Sequence, residues 1–390
     1  MVVPGMSASD ERTQPMVYPV ATSASWKLCE FESVVSADYV ATSYSSENRA
    51  AVLRLHRQVL YRPSDLSARY LAWKYEDNPY IPEPTLALVF QGSDLVAMRG
   101  LCGTGWAGSD GTIMSVPAAE DLVVDQTHRG RGLFLMLDKQ LARMAEEAGY
   151  PTLLSLSAGP ETQQLQTLTG WSHVASLGRA RRPAAVPTRR VLGNPLVRKI
   201  IGRGRRMARN VGLGYTRLAS NSLIDRTLEG IGQSKPAVTV SAVADLDAFV
   251  ELSANQAHRH RPERTKEFYE WRLANPDRRY RFVYWGNPEP SGFAILCWRP
   301  SEEVVSIVDS RAQDPEVHLA LLSELFRAPR ASYELLPSAL PDSVRAGLDI
   351  NSWDGNVRPG RDVEVYVKQI SGLDQPRPSW PVDLIDTMLA

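Results

Sequence analysis

The 390-residue chain has few cysteines, no net charge and no long apolar run. Its three cysteines, Cys29, Cys102 and Cys297, are scattered, odd in number and without the spacing of metal ligands. They indicate buried thiols in a reducing cytoplasm. The 44 basic and 44 acidic residues balance, so overall charge gives no reason to expect binding to nucleic acid or to a membrane surface. No apolar stretch approaches the roughly 20 residues that a membrane-spanning helix needs.

Histidine is also scarce, with six residues in the whole chain. These residues make no metal-like spacing with each other or with carboxylates, and His258 and His260 form an isolated doublet. We therefore expect no metal site. His128 stands beside the segment described next, and we interpret it as a surface residue; a phosphate contact and a catalytic base are the alternatives.

The most informative segment joins a predicted strand to a predicted helix through a basic, glycine-rich turn. Leu122–Val124 is an apolar strand end, Arg129–Gly132 alternates arginine with glycine, and Leu133–Ala148 has apolar residues at helical spacing. A glycine turn that opens a helix leaves backbone N–H groups unpaired, and an anion can approach them closely. The helix dipole and the two guanidinium groups add positive potential. This segment predicts a site for a diphosphate.

Two common phosphate-binding motifs are excluded by the residues that follow the turn. No Gly-Lys-Ser/Thr sequence follows, as an ATP-binding P-loop would require, and Leu135 stands where a dinucleotide-binding loop needs its third glycine. The segment instead resembles the acyl-CoA loop of the GNAT superfamily of N-acyltransferases, [QR]-x-x-G-x-[GA]. Arg129 and Gly132 match this motif, whereas Phe134 replaces its final small residue.

The predicted order of elements is also the one expected of a GNAT domain, an α/β fold with a mixed sheet. In chain order the prediction is a helix at 47–60, a helix at 64–75, strands at 85–90, 95–101 and 112–124, a helix at 133–148, a strand at 152–156, a helix at 161–168 and a strand at 174–177.

The resemblance implies a role in donor binding for two adjoining segments. The turn and the start of the helix would bind the pyrophosphate of acyl-CoA, with acetyl-CoA as the default donor: Arg129, Gly130, Arg131, Gly132, Leu133 and Phe134. The preceding strand would run alongside the pantetheine and offer it backbone hydrogen bonds from a bulge, a role that falls to Leu122, Val123 and Val124. The N–H of Val123 would polarise the thioester carbonyl.

Two adjacent acids are the candidates for deprotonating an amine. Asp121 is the first choice, because it stands in register with an acidic residue of similar two-lobed proteins, and Glu120 is the alternative with the longer reach. Successive strand residues face opposite sides, so we expect only one of them to point into the site. The other interpretation is that both are solvated charges at the strand end.

A general acid for the leaving thiolate is harder to find in the sequence. The resemblance implies a tyrosine four residues before the Gly170-Trp171 pair, but Gln166 occupies that position. Either Ser157 substitutes, or water supplies the proton, or catalysis is weak. A thiol pKa of roughly 8.5 makes a dedicated acid helpful and not obligatory.

The length predicts two domains, and a weak internal repeat suggests that one is a copy of the other. Trp73-Lys-Tyr-Glu-Asp-Asn-Pro79 precedes one predicted strand, and Trp271-Arg-Leu-Ala-Asn-Pro276 precedes another. The pattern resembles two-lobed bacterial GNAT proteins. No counterpart of the Arg-Gly-Arg-Gly turn follows in the second half, which therefore predicts a degenerate GNAT-like domain without the phosphate site.

The domain boundaries follow from these patterns. We expect a disordered leader at 1–25, an acyl-CoA-binding domain at 26–178, a basic linker at 179–235 and the degenerate domain at 236–390. Eleven basic and no acidic residues lie between Arg179 and Arg209. A solvated helical linker, with a helix at 197–218, is our interpretation; a surface for a phosphorylated substrate, for the 3′-phosphate of CoA or for an acidic partner, and nucleic acid binding are the alternatives.

The sequence thus predicts a cytoplasmic, acyl-CoA-dependent N-acyltransferase that acts on a primary amine of a small molecule or peptide. A membrane or nucleic acid is not an expected partner. One alternative is a catalytically silent acyl-CoA-binding scaffold or regulator. Another is a two-lobed aminoacyl transferase that uses charged tRNA, a family that also duplicates GNAT-like domains.

Overall fold

The computed structural model describes residues 38–60, 63–107, 113–182, 231, 237–254, 261–299, 304–327, 332–350 and 363–370. The expected leader, Cys29, most of the basic linker with its predicted helix at 197–218, and the His258/His260 doublet lie outside the described residues. Among the described helices, none is both long enough and apolar enough to cross a membrane.

The elements of the first half follow the predicted order closely. They are β1 (Tyr39–Ser43), α1 (Arg49–Leu60), α2 (Ser64–Leu71), β2 (Thr85–Gln91), β3 (Asp94–Ala107), β4 (Ile113–Val124), α3 (Leu133–Glu147), β5 (Thr152–Ser155), α4 (Pro160–Leu168), β6 (Ser172–Leu177) and β7 (Ala180–Arg182).

The second half repeats much of this order. Its described elements are β8 (Val238–Ser241), α5 (Leu246–Ser253), β9 (Arg261–Pro262), α6 (Lys266–Leu273), β10 (Arg279–Trp285), β11 (Gly292–Trp298), β12 (Val304–Ala312), α7 (Pro315–Leu325), β13 (Ser332–Leu335), α8 (Asp342–Gly347) and β14 (Val363–Gln369).

These strands form two mixed sheets. The first has the order β1-β2-β3-β4-β5-β14-β6, with β9 paired to the end of β3, and the second has the order β7-β13-β12-β11-β10-β8. Neighbours are antiparallel except for β4 with β5 and β12 with β13. We call the body around the first sheet the first lobe and the body around the second sheet the second lobe.

The two lobes exchange strands across the predicted domain boundaries. β14, from the end of the chain, lies between β5 and β6 of the first sheet. β7, which follows the first-half elements, pairs with β13 of the second sheet. The boundaries at 178 and 236 remain a prediction, and each sheet depends on a strand from beyond them.

The helix after the glycine turn folds because one of its faces is apolar. Leu133, Leu137, Leu141 and Ala145, four of the positions predicted from helical spacing, are buried in one cluster against the first sheet. The helix ends where Gly149 takes a positive φ of 76°, as expected of a glycine just beyond a helix.

The two tryptophan motifs of the internal repeat contact each other. The rings of Trp73 and Trp271 stack with centroids 5.4 Å apart and planes 14° from parallel. Each indole N–H donates to the backbone carbonyl of the other residue, at 2.6 Å from Trp73 and 2.8 Å from Trp271. Both side chains are buried. This symmetric contact joins the two lobes.

We expect the tryptophan pair to contribute strongly to stability. Trp271→Ala should lower the free energy of unfolding by about 3–5 kcal/mol, because it removes a large buried ring and leaves the Trp73 carbonyl without its donor. Urea titration followed by far-ultraviolet circular dichroism measures the change. Leu168→Ala, at an exposed leucine, serves as the control, with an expected change of about 0.5 kcal/mol or less. Equal changes in the two variants would contradict the account.

Candidate active site

The centre of the site is a bulge in β4. Met98 pairs with Val123 and Gly100 with Glu120, so β4 has one residue more than β3 over this stretch. Asp121, inside the bulge, has a φ of +49°, in the left-handed region that side chains other than glycine seldom adopt. A bulge re-aims the side chains on either side of it.

The bulge brings both candidate acids to one ammonium group. Lys74 Nζ lies 3.0 Å from Asp121 Oδ1 and 3.6 Å from Glu120 Oε2. The expectation that only one of the two acids could face the site is wrong, because the bulge interrupts the alternation on which it was based. The interpretation of both as solvated charges is also wrong, since Glu120 is 4% exposed.

A π-helical turn positions the lysine. Residues Ala72–Glu76 form this turn directly after α2, and the turn accommodates one residue more between Trp73 and Pro79 than the second motif has between Trp271 and Pro276. Single π-turns inside helices are frequent at functional sites. The inserted turn leaves Lys74 fully buried beneath β4.

Two tyrosines complete the contacts of Asp121. The Tyr75 hydroxyl donates to Asp121 Oδ2 at 2.9 Å, and the Tyr70 hydroxyl accepts from Lys74 Nζ at 3.0 Å and donates to Asp121 Oδ1 at 3.4 Å. Gly100 leaves room for Tyr75, since a Cβ at position 100 would collide with the tyrosine ring. Sequence reasoning missed Lys74, Tyr70 and Tyr75, although the Trp-Lys-Tyr motif contained two of them.

Glu120 has the more reactive environment of the two acids. Ser157 donates to its Oε2 at 2.7 Å, while its Oε1 is buried without a hydrogen-bond partner among the described residues. Burial raises the pKa of Glu120, and the nearby Lys74 and Ser157 offset this only in part. Burial alone would lower the pKa of Lys74. The charges of Asp121 and Glu120 outweigh this effect and raise the pKa above its ordinary value, so the ammonium stays charged.

The first sheet splits beside these residues. Between β4 and β5 the described pairing is Ala118 with Leu154, and beyond this point no further pair joins these two strands in the described residues. A cavity of about 300 Å³ lies in the gap, lined by residues 119–123 of β4, by Ser155 and by residues 157–159. Leu122 and Val123, predicted to run beside the pantetheine, and both acids line this cavity. Crevices at the carboxyl ends of parallel strands commonly hold ligands.

The glycine turn follows β4 and opens α3. Gly130 and Gly132 have positive φ values of 75° and 73°, which glycine adopts without strain. Arg129 is exposed, whereas Arg131 donates to the Tyr39 hydroxyl at 2.9 Å. The same hydroxyl lies 3.0 Å from Nδ1 of His128. The turn therefore presents Arg129 and its backbone N–H groups at the positive end of a 15-residue helix.

Phe134 departs from the acyl-CoA motif without filling the turn. Its buried ring packs beneath the turn, 5.1 Å from the guanidinium of Arg99, which also lies 5.4 Å from the Trp171 ring. Arg99 donates to Asp138 at 2.7 Å and lines the cavity. Arg99, which sequence reasoning missed, therefore adds positive charge on the α3 side of the gap.

The position of the missing tyrosine is buried. Gln166 lies on α4 with a fully buried side chain and is not among the residues that line the cavity. Ser157, the predicted substitute, does line the cavity, but it donates to Glu120. In the described part of the chain, no group of three or more His, Cys, Asp or Glu residues is arranged to hold a metal ion.

The second lobe has the same framework without the site. β12 also carries a bulge, at Val308, but the residue before it is the buried Ile307 where the first lobe has Glu120. Asp314 accepts a hydrogen bond from the N–H of Val317 and so caps the start of α7. A side chain thus occupies the helix terminus that the glycine turn leaves open in the first lobe.

Comparison with known proteins supports the fold. No family model matches the chain, and no curated protein matches its sequence. A GCN5-related N-acetyltransferase from Anabaena variabilis superimposes with a TM-score of 0.52 and 14% identity, over 85% of this chain and 73% of that one. N-myristoyltransferase from Saccharomyces cerevisiae, solved with bound myristoyl-CoA, superimposes with a TM-score of 0.53 and 12% identity, over 90% and 84%.

The chain has the GNAT fold. A third structure, a GCN5-related N-acetyltransferase from Kribbella flavida, agrees with a TM-score of 0.50, 13% identity and coverage of 85% and 72%. The predicted fold class, a mixed α/β GNAT fold in tandem with a degenerate second copy, is confirmed. At these identities the likeness is one of fold, so the activity has to be argued from the site.

We expect Lys74 to neutralise both buried acids. Lys74→Met should lower the free energy of unfolding by about 3–5 kcal/mol, because it leaves buried carboxylates without their cation. Adding Glu120→Gln and Asp121→Asn should recover most of the loss. Urea titration measures both changes.

Lys266→Met is the matched control for this prediction. Lys266 forms an exposed pair with Asp247 at 3.1 Å, and its removal should cost about 1 kcal/mol or less. If Lys74→Met cost no more than Lys266→Met, the acids would not depend on the buried ammonium.

Proposed function

We propose that the protein transfers an acyl group from acyl-CoA to a primary amine. The observation that carries the proposal is the position of Glu120, a buried carboxylate with a raised pKa that lines the gap between β4 and β5. The gap opens at the end of β4 that leads into the glycine turn. The GNAT fold of the chain supports the same reaction class, which two of the structural neighbours have in their names.

The donor would be held at two points. The N–H groups of Gly130–Leu133 and the guanidinium of Arg129 are arranged for a pyrophosphate, while Arg131, tied to Tyr39, holds the turn in place. The edge of β4 that faces the gap, at Leu122–Val124, offers backbone groups to the amides of pantetheine.

Val123, the sequence candidate for polarising the thioester carbonyl, pairs with Met98 in the register that the Asp125 N–H continues to the Val96 carbonyl, so its N–H faces β3. The N–H of Leu122 or Val124, on the other edge of β4, would polarise the carbonyl instead.

Glu120 is the proposed base. An alkylammonium has a pKa of roughly 10 and must lose a proton before it can attack. The unpartnered Oε1 of Glu120 would accept that proton directly or through water. Asp121, the first choice from sequence, has both carboxylate oxygens engaged by Lys74, Tyr75 and Tyr70. We propose that Asp121 holds Lys74 in place.

The remaining steps need no further catalytic acid. The amine nitrogen forms a bond to the thioester carbon, the carbon–sulfur bond breaks, and the sulfur leaves as a thiolate. The surplus proton of the new amide nitrogen passes to the thiolate. A thiol pKa of roughly 8.5 makes the thiolate an adequate leaving group, which fits the buried, remote Gln166. We take acetyl as the acyl group, since the cavity of about 300 Å³ suits a short chain.

A silent acyl-CoA-binding scaffold is the second candidate. Gln166 in place of a tyrosine favours it, because the position is buried and not among the residues that line the cavity. Incubating the protein with acetyl-CoA and an amine library, and following thiol release, separates the two functions. Donor binding with no thiol release would support the scaffold.

The glycine turn should bind CoA through Arg129. We expect Arg129→Glu to weaken CoA binding about 10- to 100-fold in isothermal titration calorimetry, because it replaces a charge-assisted contact to phosphate with a repulsion. Arg143→Glu is the matched control: it makes the same change of charge on an exposed face of α3, and CoA should bind it as the wild type. If Arg129→Glu bound CoA with unchanged affinity, the glycine turn would not be the pyrophosphate site.

The pH profile should report the ionisation of Glu120. Activity must fall as pH drops through the raised pKa of Glu120, so the acid limb of kcat/KM should lie above the ordinary range for glutamate. Glu120→Gln should abolish this acid limb. The Ser157 hydrogen bond lowers the pKa of Glu120, so Ser157→Ala should move the acid limb to higher pH. Ser176, which donates to Glu364 at the surface, provides Ser176→Ala as the control. An acid limb that Ser157→Ala leaves in place would exclude Glu120 as the base.

A further inference from the structure

A cluster of three charged side chains is buried on the α3 face of the first sheet. Arg99 of β3 donates to Asp138 Oδ1 at 2.7 Å, and Lys368 of β14 donates to Asp138 Oδ2 at 2.6 Å. The indole N–H of Trp171 donates to the same carboxylate at 3.0 Å. We call Arg99, Asp138 and Lys368 the Asp138 cluster. One carboxylate therefore pairs with two cations, which come from different strands.

Arg99 is the member of the Asp138 cluster that reaches the cavity. Its side chain begins on β3, and its guanidinium lies 5.1 Å from the Phe134 ring and 5.4 Å from the Trp171 ring. Trp171 directly precedes β6, which lies beyond the gap in the order of the sheet. The side chain of Arg99 therefore extends from β3 towards the gap. Arg99 lines the cavity, whereas Asp138 and Lys368 are not among its lining residues.

The Asp138 cluster has two positive groups and one negative group. A buried charge without a counter-ion is unfavourable, and Arg99 is 1% exposed. Burial lowers the pKa of Arg99, and the charges of Asp138 and Glu120 offset this effect only in part. An anion beside the guanidinium would supply the missing negative charge.

Glu120, the other acid whose charge acts on Arg99, belongs to the opposite face of the sheet. Glu120 pairs with Gly100, where a Cβ would collide with the ring of Tyr75 on the face away from α3. Its Oε2 contacts Lys74 at 3.6 Å on that face. Successive side chains of a strand point to opposite faces, so Arg99 lies on the side of α3 and the glycine turn. This is the side on which the donor would bind.

We propose that the protein binds acyl-CoA donors whose short acyl group ends in a carboxylate, such as malonyl-CoA or succinyl-CoA, and that Arg99 binds this carboxylate. The inference rests on the proposed function and adds a class of donor to acetyl-CoA. The guanidinium would form a charge-assisted pair with the carboxylate. The cavity of about 300 Å³ limits the acyl group to a short chain.

Transfer of such a group follows the steps given for acetyl. The amine nitrogen bonds to the thioester carbon, the carbon–sulfur bond breaks, and the thiolate takes the surplus proton. The distal carboxylate keeps its charge throughout. Arg99 is then a residue that determines specificity for the donor, and it takes no proton.

Calorimetric titration with two donors of equal chain length tests the inference without an acceptor. Succinyl-CoA and butyryl-CoA have acyl chains of the same length, and they differ in the terminal carboxylate. The wild type should bind succinyl-CoA at least about tenfold more tightly, because only this donor can form the charge-assisted pair. Arg99→Met should abolish the preference, and Arg99→Lys, which keeps the charge, should retain part of it.

Lys368→Met is the matched control. It removes the other cation from the same carboxylate of Asp138, and Lys368 also lies over the Trp171 ring, at 5.9 Å. Because the guanidinium stays at the cavity and only a more distant charge is lost, the preference should stay within about threefold of the wild-type value. Thermal unfolding of each variant reports whether the fold survives.

The outcomes separate the inference from the proposed function. Equal affinity of the wild type for the two donors, or equal loss of preference in Arg99→Met and Lys368→Met, would overturn the inference and leave acetyl transfer standing. If the wild type prefers succinyl-CoA and no amine is acylated, the transferase function fails and the binding of the carboxylate stands. If no acyl-CoA binds, both fail.

Discussion

The buried ammonium of Lys74 is the interaction on which the site depends. It lies between two carboxylates on a strand that would otherwise turn them to opposite faces. Two local irregularities make this possible: the bulge at Asp121 and the π-turn at Ala72–Glu76. Each irregularity departs from regular backbone geometry, which is unfavourable. The contacts of Lys74 with the two carboxylates offset this cost. One acid is fully engaged as a result, while Glu120 keeps an oxygen available at the split in the sheet.

The second lobe explains why the first can hold such an arrangement. The stacked rings of Trp73 and Trp271 form a buried aromatic contact at the π-turn. Strand β14 pairs with β5 and so extends the first sheet. The second copy has Ile307 at the position of Glu120, and Asp314 caps the helix terminus that the glycine turn leaves open in the first lobe. Its remaining contribution is support, together with the side chain of Arg299, which lines the cavity.

The sequence predicted the parts of this structure that depend on local pattern. The glycine turn, the amphipathic helix after it and most strands of the first half are set by spacing along the chain, and they lie where expected. The resemblance to the GNAT family implied a bulge in this strand, but its position at Asp121 could not be read, because a positive φ has no signal in an alternating pattern. The insertion of β14 depends on pairing across more than 200 residues. Lys74 stood inside a recognised motif, but its burial depends on a π-turn that helical spacing does not indicate.

The central claim is that the gap between β4 and β5 holds the acyl donor above Glu120, with its pyrophosphate on the glycine turn. A crystal structure of the protein with bound CoA tests it most directly. The account predicts the pyrophosphate within hydrogen-bond distance of the N–H groups at Gly130–Gly132, the pantetheine along Leu122–Val124, and the sulfur in the cavity that Glu120 lines. CoA bound elsewhere, with the gap empty, would contradict the account.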